Sequence, residues 1–318
     1  MTSVKSNLFK AFFVAIVFVA NLSVAQQQNT YDFLNLNVDA RSSAMAGSFV
    51  SVDNDVNAIF YNPAGLATLK GKQASVGFFK YLMDINSGNV SYSQKYKELG
   101  YFGAGIRYVN YGTFDKYDES YQNLGSFGAS DLALSLGYAN VYKENFKYGA
   151  NAKFIYSNID EYSSVGLALD LGALYTIPEH RMNFGLSVLN LGTQVKKYIS
   201  TNESLPLDIR IGMTKSLEHL PLTVNLGFAR LADTYDNFFE RFKNIVVGGE
   251  FVLNDYVLFR LGYNNAERKN YKTGSSIGIS GFSAGIGIVF TDKYKLDYAF
   301  NSLGNIGAAH RFNLGFNL

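Results

Sequence analysis

From Val165 onward the chain alternates. Val165, Leu167, Leu169, Leu171, Ala173, Tyr175 and Ile177 are apolar, while Gly166, Ala168, Asp170, Gly172 and Thr176 between them are small or polar. Successive side chains of an extended strand point to opposite faces, whereas a helix would scatter such a set around its circumference. The same pattern returns at Leu207, Ile209, Ile211 and Met213 against Asp208, Arg210, Gly212 and Thr214. It returns again at His310, Phe312, Leu314, Phe316 and Leu318 against Arg311, Asn313, Gly315 and Asn317. Segments of this kind cover residues 73–84, 87–95, 99–110, 129–142, 146–157, 164–177, 182–192, 207–217, 221–233, 243–254, 256–265, 282–290, 294–302 and 309–318. The chain beyond residue 72 is therefore expected to be all-β, with about fourteen strands.

The connections indicate how those strands are joined. Turns near Lys97, Glu144, Glu179, Glu218, Asp255 and Lys293 are tight, and the connections 111–128, 193–206 and 266–281 between them are long. Strict alternation of short and long connections is expected of an up-and-down antiparallel barrel, not of a soluble sandwich. Many segments reach the roughly 9 to 11 residues that a tilted transmembrane strand needs. With 23 Tyr, 26 Phe and 30 Gly but no Trp and 4 Pro in 318 residues, the composition suits a transmembrane β-barrel. An even strand number puts both ends of the barrel on one side, so both termini are expected to be periplasmic, and the alternating strand that closes at Leu318 resembles an outer-membrane assembly signal.

The first residues carry Lys5 and Lys10, an apolar run from Ala11 to Ala20, then Ser23, Val24 and Ala25 before Gln26, Gln27 and Gln28. This is the pattern of a secretory signal peptide over residues 1–25. Its removal would take away the two lysines and bring the formal net charge from +2 to zero, which argues against nucleic acid as a partner. The chain has no cysteine, so neither a disulfide nor a lipidated cysteine can hold it. After residue 25 no apolar run is long enough for a membrane-spanning helix.

Residues 26–72 precede the strands and lack their alternation. The expectation is a small N-terminal hatch with a short helix, enclosed by the barrel of residues 73–318. Asp53, Asn54, Asp55, Val56 and Asn57 imitate the start of a calcium loop, but Ala58 stands where that loop needs Gly and Ala64 where it needs Glu. The segment reads instead as a helix cap, with Asp55 or Asn57 accepting free N–H groups and Pro63 stopping the helix after Asn62. No metal or other cofactor is expected.

The polar face of the strands lists the lumen charges: Arg107, Lys153, Asp170, Asp208, Arg210, Glu250, Arg260, Asp297 and Arg311, five basic and four acidic. A near-balanced set suits pairing within the lumen or with a plug better than an ion-selective ring does. Arg41 in the hatch is expected to pair with Asp170, Asp208 or Glu250, because an unpaired buried charge costs several kcal/mol, order of magnitude.

Catalysis finds no footing. His180 and His219 fall in tight turns and His310 falls on the apolar face of the last strand, with no convergent nucleophile and carboxylate. Gly103 and Gly105, like Gly285 and Gly287, lie within strands and precede no helix, so they are not phosphate loops. They are expected to let aromatic neighbours pack or strands bend.

The hatch residues also carry a resemblance. Ala40 and Arg41, the turn Met45, Ala46, Gly47, and above all Tyr61, Asn62, Pro63, Ala64, Gly65 and Leu66 are similar to the hatch of the PorV/PorQ family, a branch of the FadL-like outer-membrane barrels. The likeness continues through Asp84, Ile85, Asn86, then Tyr108 to Phe114 with Ser130 and Asp131, which lean toward the PorQ side. Leu205 to Arg210 and His310, Arg311, Phe312 extend it over nearly the whole mature chain. Ala46, Gly47, Ser48 departs from the commoner double glycine, leaving one residue free to adopt positive φ cheaply. The resemblance implies a fourteen-stranded barrel with an internal hatch in the outer membrane of Bacteroidetes-like bacteria, working with the type IX secretion system. The implied partners are other components of that system, the C-terminal domains of exported cargo, and outer-membrane lipid. FadL-like relatives instead admit hydrophobic solutes, which makes passive transport the alternative. In either case Asn62, Pro63, Ala64 and Gly65 speak for the fold, and the long loops are expected to decide the function.

Overall fold

The computed structural model describes residues 30–235, 237–271 and 279–318. The expected signal peptide lies outside the described residues. The strands run β1 Gln73–Lys80, β2 Asn86–Tyr96, β3 Gly100–Tyr117, β4 Asn123–Tyr142, β5 Phe146–Ile159, β6 Tyr162–Ile177, β7 Met182–Lys196, β8 Asp208–Ser216, β9 Leu222–Phe228, β10 Ile245–Val252, β11 Val257–Asn264, β12 Phe282–Thr291, β13 Tyr294–Ser302 and β14 Ala308–Asn317. Each pairs antiparallel with the next, and β14 pairs with β1 from Gln73↔Asn317 to Lys80↔His310, closing the barrel. Closure removes the free sheet edges that a membrane would not tolerate. Among the described residues no helix is long and apolar enough to cross a membrane.

The alternation resolves into inside and outside as expected. In β6 Leu167, Leu169 and Leu171 are exposed on the outer wall, while Gly166, Ala168 and Asp170 are buried in the lumen. In β14 Phe312 and Leu314 face out, and Arg311 and Asn313 face in.

The connections depart from the expected pattern. The short-turn end matches, but at the other end β5 and β6 are joined by only Asp160 and Glu161. Residues 111–128 are mostly not a loop. β3 and β4 continue past their neighbours as a two-stranded ribbon, after an irregularity between Asn110 and Thr113. β9 ends at Phe228, where Arg230 takes φ 57° and the chain leaves the sheet. Leu231 and Ala232 then cover Ile209 on the outer wall. The connection after β11 contains helix α2, Asn265–Tyr271.

Residues 30–72 thread the lumen. Helix α1, Ala40–Ala44, is followed by two 3₁₀ segments, Val56–Phe60 and Pro63–Thr68. Pro63 begins the second segment rather than stopping the first: Asn62 is its N-cap and Pro63 its first residue, where a missing N–H costs nothing. Asp55 caps the first, accepting from Asn57 N at 2.9 Å. Asn57 is not a cap. Its side chain ties the hatch to Ser75 of β1 (3.2 Å) and Ser91 of β2 (2.8 Å).

The two ends of the described chain are not on one side. Gln73 and Leu318 do share the short-turn end, where Leu318 N donates to Lys72 O at 2.8 Å. Thr30, however, donates to Ser204 O at 3.1 Å, in the connection between β7 and β8 at the long-loop end. Strand parity locates only the ends of the barrel, and the segment before β1 crosses the lumen.

Candidate functional site

The surface between hatch and wall is the most elaborated part of the molecule. It begins with glycine. Gly149 and Gly172 stand on the inner face opposite the Asn62–Gly65 motif. A Cβ on Gly149 would lie 2.6 Å from Pro63 C and 2.7 Å from Ala64 N, and one on Gly172 would lie 2.1 Å from Asn62 Oδ1. Gly103, Gly105 and Gly285 serve the same purpose toward Leu66, Phe60 and Ala44: Gly105 makes room for an aromatic neighbour as expected, and all three are seats for the hatch. Gly287 makes room for Asp297 and Arg260. Small inward residues let a folded backbone lie directly on the sheet.

Asn62 then fastens the motif. Its Nδ2 donates to Val50 O at 2.7 Å and to Ala173 O of β6 at 3.0 Å, and its Oδ1 accepts from Ala64 N at 3.1 Å. Gly65 lets the second 3₁₀ segment pass over Ala58, since a Cβ there would sit 2.6 Å from that of Ala58. At the turn after α1, not one but two residues take positive φ, Ala46 at 55° and Gly47 at 81°.

Arg41 lies between two carboxylates. Its Nε and Nη2 donate to Glu250 Oε2 and Oε1 at 2.9 and 2.8 Å, and its Nη1 donates to Asp55 Oδ2 at 3.0 Å. Burial alone would depress its pKa, but Glu250 and Asp55 hold it well above the usual range. Of the three carboxylates expected for Arg41, the structure selects Glu250. Asp170 is occupied by Lys153 Nζ (3.0 Å), Asn190 N (2.8 Å) and Asn151 Nδ2 (3.1 Å). Asp208 is occupied by Arg210 Nε (2.6 Å) and Arg230 N (2.7 Å).

The remaining lumen charges divide by whether they touch the hatch. Arg107 donates to Leu36 O, Arg311 donates to Asn37 O at 3.3 Å, and Arg210 lies over the Tyr61 ring at 5.7 Å. Arg260 stays within the wall, bridging Glu250 Oε2 (2.6 Å) and Asp297 Oδ1 (2.7 Å). Among the described residues Asp170, Asp208, Arg260 and Asp297 thus make no ion pair with the hatch.

Asp39, which no motif above marks, and Tyr61 and Asp131, which above carry only the family resemblance, complete this surface. Asp39 is 1% exposed and caps α1, accepting from Ser42 N at 3.0 Å and Ser42 Oγ at 2.7 Å. Burial, with the charge of Asp55 adding to it, pushes its carboxyl up to about 6. Tyr61 OH accepts from Val38 N at 2.7 Å and bonds Ser42 Oγ at 2.6 Å; burial and then the Asp39 charge push the phenol up to about 12. In the wall, Asp131 accepts from Tyr111 OH at 2.6 Å and from Ser157 Oγ. An Asp directly before a small-residue helix is a recognisable N-cap signal, and Asp39 could have been found by it.

Among the described residues a cavity lies against the hatch at each end. One of about 100 Å³ at the long-loop end is lined by Arg210, Arg230, Glu267 and Arg311 among others. One of about 400 Å³ at the short-turn end is lined by Arg41, Asp55, Glu250 and Lys295 among others. Their linings share no residue. Among the described residues no group of three or more His, Cys, Asp or Glu side chains is placed to hold a metal ion. His180 and His219 occupy short-turn connections, and His310 Nδ1 bonds Tyr298 OH at 2.8 Å.

A closed barrel of fourteen antiparallel strands around a folded amino-terminal segment is the architecture of FadL-like outer-membrane proteins. The structure is similar to the Pseudomonas putida toluene transporter TodX, with TM-score 0.60 and 13% identity over 92% of this chain and 98% of that one. It is similar also to the Ralstonia pickettii toluene transporter TbuX, with TM-score 0.57 and 13% identity over 88% and 97% of the two chains. The monoaromatic hydrocarbon channel CymD gives TM-score 0.56 and 12% identity over 88% and 96%. At such identities the likeness is one of fold. No curated protein matches the chain. The family described as "Type IX secretion system protein PorV" matches residues 24–216, from before the hatch to the end of β8, and the chain belongs to that family. Its place is the bacterial outer membrane.

Proposed function

We propose that this protein is a non-enzymatic component of the type IX secretion system, which handles or anchors secreted cargo by protein–protein contact at the long-loop rim. Membership of the PorV family over residues 24–216 carries this reading. In it the long-loop end faces outward and Leu318 lies on the periplasmic side, so the loops meet cargo C-terminal domains and other components of the system. The hatch supports the same reading. Arg41, Asn57 and Asn62 bond to β10, β1, β2 and β6, so the hatch is fastened on several sides of the lumen. A segment tied in this way suits a scaffold better than a solute path. Deleting the gene in its native host is expected to release cargo from the cell surface. Normal cargo attachment in that strain would sink the reading, and a selective defect in uptake of hydrophobic solutes would favour passive transport instead.

A further inference from the structure

The β3–β4 ribbon rises above the rim with both of its sides unpartnered. β2 pairs with β3 only as far as Asn86↔Asn110, and β5 pairs with β4 only as far as Ala129↔Ile159. Beyond these points β3 and β4 pair with each other from Thr113↔Gly128 to Tyr117↔Asn123, and among the described residues no third strand joins them. On the β4 side one further bond runs from Asp160 N to Gly128 O at 3.1 Å. By strand alternation Gly128 and then Ser126 direct their backbone groups away from β3. Ser126 therefore offers an N–H and a C=O at an open edge.

Natural sheets blunt such edges with charge or proline. The β4 edge, Asn123, Leu124, Gly125, Ser126, Phe127 and Gly128, carries neither. The ribbon is also prepared in advance. Phe114 and Phe127 stack across it at 5.4 Å and 29°, and at its tip Asp118 Oδ1 accepts from Ser120 N and Gln122 N, both at 2.8 Å. Tyr117, Tyr121 and Leu124 are 55%, 89% and 59% exposed. At the base lies a cavity of about 320 Å³ lined by Thr113, Phe127, Gly128 and Asp160 among others.

Charge decides the class of occupant. Asp115, Asp118 and Glu119 lie on the ribbon and Asp160 and Glu161 at its foot, while the one cation within residues 113–128, Lys116, is already paired with Asp160. An anionic lipid surface would be repelled. Backbone groups at strand spacing beside exposed aromatics fit an extended peptide, and an acidic border favours a basic one.

We propose that residues 113–128 form a docking edge on which an extended, apolar and cationic segment of a partner protein adds as a strand beside β4. This deepens the proposed function by giving the rim a specific contact, and it rests on that reading for the partner's identity as a secretion component or cargo.

The test uses the full chain in its native outer membrane, with the photo-crosslinking residue p-benzoylphenylalanine at Tyr121 and, as control, at the exposed Met83 of another rim connection. The expected result is an adduct from position 121 to one protein, mapped to a segment of alternating apolar and Lys or Arg residues. Ser126→Pro removes the edge N–H without touching the β3–β4 ladder and is expected to lower the adduct about tenfold, whereas Ser126→Ala leaves it unchanged. Leu124→Lys, which alters no backbone group but replaces an exposed apolar side chain with a charge of the partner's own sign, is expected to lower it comparably and serves if Ser126→Pro does not assemble. An adduct with lipopolysaccharide, an adduct indifferent to both variants, or no adduct above the Met83 control would overturn the proposal. If deletion of the gene releases cargo while the adduct fails these criteria, the docking edge falls and the proposed function stands. If the adduct behaves as expected but deletion leaves cargo attached, the edge stands and the partner lies outside secretion.

Discussion

Arg41 and Glu250, separated by 209 positions in sequence, meet through two parallel hydrogen bonds, and Arg260 shares the same carboxylate from the other side at 2.6 Å. The pair joins the hatch to β10 and, through Arg260, to Asp297 of β13. Side-chain exposures of 16% for Arg41, 12% for Glu250 and 0% for Arg260 leave little water to compensate a missing partner.

Removing one member should therefore cost more than the pair contributes. Arg41→Ala leaves Glu250 with Arg260 and is expected to destabilise the refolded barrel in detergent by about 3 kcal/mol, read from urea unfolding. Glu250→Ala takes one carboxylate from each of two guanidinium groups, leaving Arg41 with Asp55 alone and Arg260 with Asp297 alone, and is expected to cost more. The reverse order would mean that Asp55 is the principal partner of Arg41.

The glycine seats make a second prediction. Gly149→Ala places a methyl against the Pro63–Ala64 backbone, which cannot swing aside as a side chain can, and is expected to cost about 1–3 kcal/mol. Gly249→Ala, in the adjoining position to Glu250 but with its nearest neighbour at 3.5 Å, is expected to change stability by under about 0.5 kcal/mol. Equal unfolding midpoints for the two variants would show that the hatch does not rest on Gly149.

These particulars explain what could be read in advance. Period-2 alternation has a direct physical cause, so about fourteen strands and most of the charges that enter the lumen are legible, although Asp131 and Lys295, which also face inward, are missing from the expected set. Alternation says nothing about distance around a closed wall. Asp170, Asp208 and Glu250 are equivalent by periodicity as partners for Arg41, and only folding shows that an irregularity in pairing at Asn190 brings a backbone N–H to Asp170. The inward glycines read as room for aromatic neighbours or for bending strands; Gly105 does seat an aromatic, Phe60, but that neighbour belongs to the hatch, whose position alternation does not give. A single Gly47 suggested one residue with positive φ, whereas Ala46 adopts it as well, a conformation sequence preference disfavours. Threading of the lumen by residues 30–72, which puts Thr30 opposite Leu318, has no signature in strand count.

Asn62 carries the next prediction. Its amide nitrogen serves two carbonyls, so Asn62→Asp substitutes an acceptor for a donor at both, while Asn62→Ala removes the group. A buried acceptor facing two others is worse than a gap. At neutral pH Asn62→Asp is expected to be the less stable variant, with Asn62→Ala itself lowering stability by about 2 kcal/mol. On acidification, where the carboxyl can protonate and donate once, the two should converge in urea unfolding. An Asp variant as stable as the parent at neutral pH would contradict this geometry.

Asp39 gives the hatch a pH dependence of defined sign. Its folded-state carboxyl, raised to about 6 by burial and by Asp55, binds a proton more tightly than in the unfolded chain, where 3.8 applies. The folded state is therefore favoured by protonation. This contribution is fully present below about pH 4 and is lost as pH rises through about 6, amounting to roughly 3 kcal/mol across that window. Other carboxylates titrate there too, so the informative quantity is the difference between parent and Asp39→Asn. The amide keeps Oδ1 as acceptor for Ser42 N and offers a donor toward Ser42 Oγ, whose own proton can turn to Tyr61 OH. Asp39→Asn is expected to match the parent near pH 4 and to exceed it at pH 8. A difference that does not grow between those values would show that Asp39 is ionised without penalty in the folded hatch.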